Sequence, residues 1–147
     1  MSEHYATIEW KAGPEPFQYE TYSRNHTWQI PGAAVVLASA APEYKGDPDR
    51  VDPEQAFVAS VSSCHMLTFL AIAAKKRITV LSYLDEAVGT LARNEQGRLS
   101  ITEVRLRPQI TFEEAPSAEA LDTLHDLAHR ECFIANSVNC EIRVESR

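Results

Sequence analysis

Asp52-Pro53-Glu54-Gln55-Ala56-Phe57-Val58-Ala59-Ser60-Val61-Ser62-Ser63-Cys64-His65-Met66-Leu67-Thr68-Phe69-Leu70 opens the longest apolar-rich stretch of the chain, which runs on to Lys75-Lys76-Arg77. Both ends carry helix signals. Asp52 is an N-cap candidate, Pro53 suits the first helical position, where a missing N–H costs nothing, and Glu54 favours the positive end of the helix dipole. Lys75, Lys76 and Arg77 suit the negative end, so the spacing predicts a helix from Pro53 to about Lys76. Ala56, Phe57, Val58, Val61, Met66, Leu67, Phe69, Leu70 and Ile72 spread round most of its circumference. A helix apolar on nearly every side is buried on nearly every side. One sheet of a chain this size covers a single face, so a second copy of the chain is expected on another. That predicts a homodimer.

On the N-terminal side, His4 to Trp10, the aromatic–polar alternation Phe17-Gln18-Tyr19-Glu20-Thr21-Tyr22, Thr27 to Ile30 and Ala33 to Ala38 read as strands. Ala41 to Asp49 is a loop by its turn residues. On the C-terminal side, Val80 to Asn94 and Leu99 to Phe112 read as a long hairpin turning at Asn94-Glu95-Gln96-Gly97. Ile101, Val104, Leu106 and Ile110 keep no single period, which predicts a bulge near Thr102. Pro116 and Ser117 open a second helix with Leu121, Leu124, Leu127 and Ala128 on one face, and Cys140 to Val144 alternates as a last strand. Strands, a long helix, strands, a helix and a strand make an α+β protein with mostly antiparallel pairing.

The 147 residues fit one domain spanning 1–147, enough to bury a core without disulfides. Apolar residues at 44% and charged residues at 24% exclude disorder, collagen and coiled coil. Ser60, Ser62, Ser63, His65 and Thr68 interrupt the apolar stretch, which argues against a membrane span. Met1-Ser2-Glu3-His4 begins no signal peptide, lacking the basic start and apolar run. A formal charge of −7 argues against nucleic acid and anionic membranes as partners. Three cysteines cannot all pair within one chain, so free thiols in a reducing cytoplasm are expected.

An isolated helix cysteine such as Cys64 is most often a small buried apolar residue. A reactive thiol needs a depressed pKa, and Cys64 lies too far inside its helix for the end charges to reach. His65 points about 100° away round the helix. A cation for Cys64 therefore has to come from another segment. Cys132 follows the second helix in His129-Arg130-Glu131-Cys132-Phe133-Ile134-Ala135-Asn136-Ser137, and Cys140 alternates with Ile142 and Val144 as a core residue.

The run from Asp52 to Cys64 resembles the central helix of the OsmC/Ohr family of peroxidases, in which a Pro-Glu opening precedes a cysteine ten residues after the glutamate; Glu54 and Cys64 keep that spacing. Cys132 matches the second family cysteine, and Arg24, in Tyr22-Ser23-Arg24-Asn25-His26, matches the family's arginine. Phe133 stands where the family usually has proline, and Ala135 where serine is common. The resemblance implies an OsmC-like fold in an intertwined homodimer, with antiparallel sheets around a long buried helix and sites at the subunit interface. It also implies thiol-dependent reduction of organic hydroperoxides with no cofactor. Cys64 would attack the peroxide, Cys132 would close a disulfide and a cellular dithiol would reset the pair. Arg24 would favour the thiolate, and Glu54 would hold Arg24 by a bidentate pair. Trp28, Phe57, Met66, Phe69 and Phe133 are candidates for lining an apolar pocket.

Two other readings stand beside it. His125, His129 and Cys132 fall within about 60° of one another if their helix continues, a metal-ligand spacing without an obvious fourth ligand. A non-catalytic small-ligand-binding protein on the same fold is the other, since fold does not fix function.

Overall fold

The computed structural model describes residues 1–145, in two compact units, Met1–Ala56 and Phe57 onward. In the first, β1 (Thr7–Glu9), β2 (His26–Gln29) and β3 (Val36–Ala38) form an antiparallel meander in which Ile8 faces Trp28 and Thr27 faces Leu37. The strand expected at Phe17–Tyr22 is a turn instead. The Tyr22 N–H donates to the Gln18 carbonyl at 3.0 Å and the Thr21 hydroxyl to the Pro16 carbonyl at 2.6 Å. This winding brings Phe17 and Tyr22 onto Trp10, with ring centroids 5.7 and 6.2 Å from the indole. Aromatic clustering around local turn bonds, and not a pleated face, explains the alternation there.

Helix α1 (Pro53–Lys75) starts as its sequence dictates. The Asp52 carboxylate accepts the Gln55 N–H at 2.7 Å and the Gln55 side chain accepts the Asp52 N–H at 3.0 Å, a reciprocal capping box. One stripe of the helix is fully buried: Val61, His65, Phe69 and Ala73, each four residues from the next. By length and composition α1 is apolar enough to cross a membrane, yet its buried stripe packs on protein. Leu67 on another face is 60% exposed.

In the second unit the hairpin is broken into β4 (Val80–Asp85) and β5 (Val88–Arg93) on one limb, and β6 (Leu99–Leu106) and β7 (Pro108–Phe112) on the other. Asp85 causes the break. Its carboxylate takes the Arg107 N–H at 2.7 Å in place of a ladder partner, while the Arg107 guanidinium donates to the Glu86 carbonyl at 2.8 Å. β4 then pairs with β7, and β5 with β6, all antiparallel. Thr90 faces Glu103 and Leu91 faces Ile101, which leaves Thr102 as the extra residue of the expected bulge. β8 (Glu141–Val144) adds to β6 in parallel. Helix α2 (Ala118–Glu131) is capped by the Ser117 hydroxyl, which accepts the Ala120 N–H at 3.1 Å.

Two clusters flank α1. Phe69 and Ala73 pack with Leu124 and Ala128 of α2 under Tyr83, Ile110 and Phe112. Val61 packs with Val104 and Leu106 under Ile142, Val144 and Cys140, as expected for a core cysteine. β5 comes so close to α1 that a Cβ on Gly89 would lie 2.4 Å from a Val58 methyl. Removing the carboxylate cap in Asp52→Ala should lower stability by about 1 kcal/mol. An unchanged unfolding midpoint in a thermal or urea melt would show that the cap is idle.

Candidate active site

The thiols meet through antiparallel packing of α1 and α2. Along this contact Cys64 meets Cys132, His65 meets His125, and Phe69 and Ala73 meet Leu124 and Ala128. Cys64 lies mid-way along α1 and is half-buried, while Cys132 caps the C-terminus of α2 and is completely buried. All three cysteines are free thiols. Burial first, and a hydrogen bond with Cys64 second, push the Cys132 thiol above its ordinary range; backbone N–H groups at Ala135 and Ile134 pull the other way. The Ala135 N–H reaches the Cys132 sulfur at 3.4 Å. Cys132 is thereby kept as a protonated thiol against Cys64. On α1 the Ser62 hydroxyl, two residues before Cys64, is tied to the Asp85 carboxylate, and the Thr68 hydroxyl to the Cys64 carbonyl at 2.8 Å.

His65 and His125 form a buried pair beside the thiols, with His65 Nε2 and His125 Nδ1 3.1 Å apart. Burial, then the neighbouring His125 and His129, hold His65 down to about 4. Burial lowers His125 too, against the pull of Asp122, Asp126 and Asp85. Both rings are neutral at pH 7. In the sequence His65 reads as a polar break in an apolar run and a poor neighbour for Cys64. The signal was its spacing, midway between Val61 and Phe69 on the buried stripe.

Arg24 lies in the first unit, where its guanidinium donates to the Tyr22 carbonyl at 2.5 Å and the Tyr19 carbonyl at 2.6 Å and sits 3.6 Å over the Tyr22 ring. Glu54 is half-buried in the first turn of α1. No ion pair joins Arg24 to Glu54 among the described residues; backbone carbonyls and aromatic faces take the guanidinium instead. Of the pocket candidates, Phe69 is wholly core and Phe133 is 82% exposed. The metal arrangement does not form. His125 turns inward to His65, His129 is exposed, Cys132 turns to Cys64, and no group of three or more His, Cys, Asp or Glu gathers among the described residues.

A family model described as OsmC-like protein matches residues 46–147. The chain belongs to the OsmC-like family. An OsmC-like protein of unknown function from Vibrio cholerae is 49% identical to this member, with 100% of each chain covered and a TM-score of 0.95. An organic hydroperoxide resistance protein from Elizabethkingia anophelis shares the OsmC-like fold at 20% identity and a TM-score of 0.74, over 99% of this chain and 94% of its own. One from Legionella pneumophila does so at 18% identity and 0.71, over 99% and 97%. No curated protein matches the chain.

The buried imidazoles should make this OsmC-like protein acid-sensitive. Unfolding returns His65 to its ordinary 6.5, so between 6.5 and about 4 the unfolded chain binds a proton that the folded one refuses. Stability should fall as pH drops through that window, by about 3 kcal/mol at its lower end. Urea midpoints of the parent and His65→Gln, read at several pH values, check this. An equal acid loss in both proteins would remove His65 as the cause.

Proposed function

We propose that the protein is a thiol-dependent peroxidase that reduces organic hydroperoxides to alcohols. The observation that carries the reading is the neighbouring Cys64–Cys132 pair, two thiols brought together from the middle of α1 and the end of α2. Family membership supports a stress-related role of this kind. The Cys64 thiolate attacks the peroxide oxygen and breaks the O–O bond. Carbon-bound oxygen takes a proton and leaves as the alcohol, while Cys64 becomes a sulfenic acid. The Cys132 sulfur then displaces hydroxide from that sulfenic acid, forming the disulfide and releasing water with the Cys132 proton. A cellular dithiol supplies two electrons and two protons to restore both thiols.

The division of labour follows from burial. A half-buried Cys64 can meet a substrate; a fully buried, protonated Cys132 cannot compete for it. Arg24 is the cation we assign to the thiolate, by the family resemblance and because a guanidinium stays charged at every working pH. By the same resemblance, Glu54 would orient that arginine once it leaves the Tyr19 and Tyr22 carbonyls. The protein would act as a homodimer in the reducing cytoplasm, the second copy covering the α1 face that carries exposed Leu67. An obligate interface of this kind buries more than ~2,000 Å².

Stopped-flow assays with cumene hydroperoxide test the roles. Cys64→Ser should consume none. Cys132→Ser should consume one equivalent and then climb to sulfinic acid at Cys64, with no second thiol to intercept the sulfenate. Arg24→Met should slow the first step at neutral pH by about tenfold or more. Turnover by Cys64→Ser at the parent rate would end the proposal. The dimer is checked separately: light scattering at micromolar protein should give twice the chain mass, and a monomer would refute the second copy.

A further inference from the structure

His65 and His125 are 1% and 4% exposed, next to an apolar cluster of Phe69, Ala73, Leu124 and Ala128. Their facing nitrogens are 3.1 Å apart, their ring centroids 5.4 Å and their planes 10°. The facing nitrogens thus lie between the ring centres, which is an in-plane N–H···N bond and not a face-to-face stack. One ring must donate and the other accept. Whichever donates, one N–H and one lone pair are left over, and His65 Nδ1 and His125 Nε2 are indeed buried without partners among the described residues. Each such orphan costs about 1–3 kcal/mol. Two leucines would fill the same space without that cost, so packing alone does not account for the imidazoles.

What leucines would not supply is direction. Hydrophobic contacts such as Phe69 with Leu124 tolerate sliding and rotation, whereas a hydrogen bond fixes distance and angle. His65 follows Cys64 directly on α1. His125 and Cys132 are seven residues apart on α2, two turns along the same side. We infer that the His65–His125 hydrogen bond is a positioning device that fixes the register of α1 against α2 and so holds Cys132 against Cys64 for disulfide closure. Neither imidazole touches the substrate. The pair acts on the second chemical step and leaves the first alone.

This rests on the reading of Cys64 and Cys132 as the working pair, and diamide separates the two claims because it oxidises thiols without a peroxide site. Cys64 adds to the azo bond, and Cys132 displaces the hydrazine, so two thiols give up two electrons and two protons. Two rates are read in each protein: alkylation of Cys64 by iodoacetamide, and closure of the Cys64–Cys132 disulfide with diamide, followed by mass spectrometry. His125→Leu should alkylate at the parent rate but close about fivefold or more slowly, the factor matching one lost hydrogen bond. The double variant His65→Gln with His125→Asn keeps an amide hydrogen bond between the same positions and should close within about twofold of the parent. If His125→Leu does not fold, His65→Met against His65→Gln gives the same comparison from the other helix. Parent-like closure in the leucine or methionine variant overturns the inference, as does failure of a folded amide pair to restore closure. A parent that closes with diamide but consumes no hydroperoxide overturns the peroxidase reading alone.

Discussion

The antiparallel contact between α1 and α2 is the constraint on which the second unit depends. It joins segments far apart in sequence along one line: thiol to thiol, imidazole to imidazole, and Phe69 and Ala73 against Leu124 and Ala128. The apolar residues of this contact, with the strand residues packed over them, contribute burial free energy at roughly 25 cal/mol for each Å² removed from water. The imidazole pair is the part to which we assign its geometry. A shift of one residue along α2 would rotate its side chains by about 100° and take Cys132 and His125 away from their partners together.

Burial sorts the chemistry along that line. Cys132, without access to water, is held protonated by burial and by its bond to Cys64. The imidazoles are held neutral by the same physics, because desolvation penalises the charged form of each group. Asp85 reaches the site indirectly. Its carboxylate breaks the long hairpin by taking the Arg107 N–H and also holds Ser62 one half-turn from Cys64.

Much of this was legible in the sequence because it is local. The ends of α1 follow from Asp52, Pro53 and the closing lysines, and the bulge at Thr102 from a broken apolar period. The α+β order and the OsmC-like resemblance follow from the same signals, and the resemblance singles out Cys64 and Cys132, which the structure brings together. What was not legible depends on contacts between distant segments or on competing local bonds. Phe17–Tyr22 alternates like a strand but is captured by turn hydrogen bonds to Gln18 and Pro16. Arg24 has a carboxylate available by resemblance in Glu54, yet its fork is taken by two carbonyls. His65 was hidden because a histidine on an apolar stripe reveals its purpose only when its partner, sixty residues later, is in place.

The central claim is that Cys64 and Cys132 form one redox unit from which Cys140, packed among Val61, Val104 and Leu106, is excluded. The most direct measurement is a thiol count with peptide mapping after one equivalent of an organic hydroperoxide is added to the reduced protein. The account predicts the loss of two thiols per chain, a single Cys64–Cys132 bridge and an untouched Cys140. Three surviving thiols, or a bridge that includes Cys140, would contradict it.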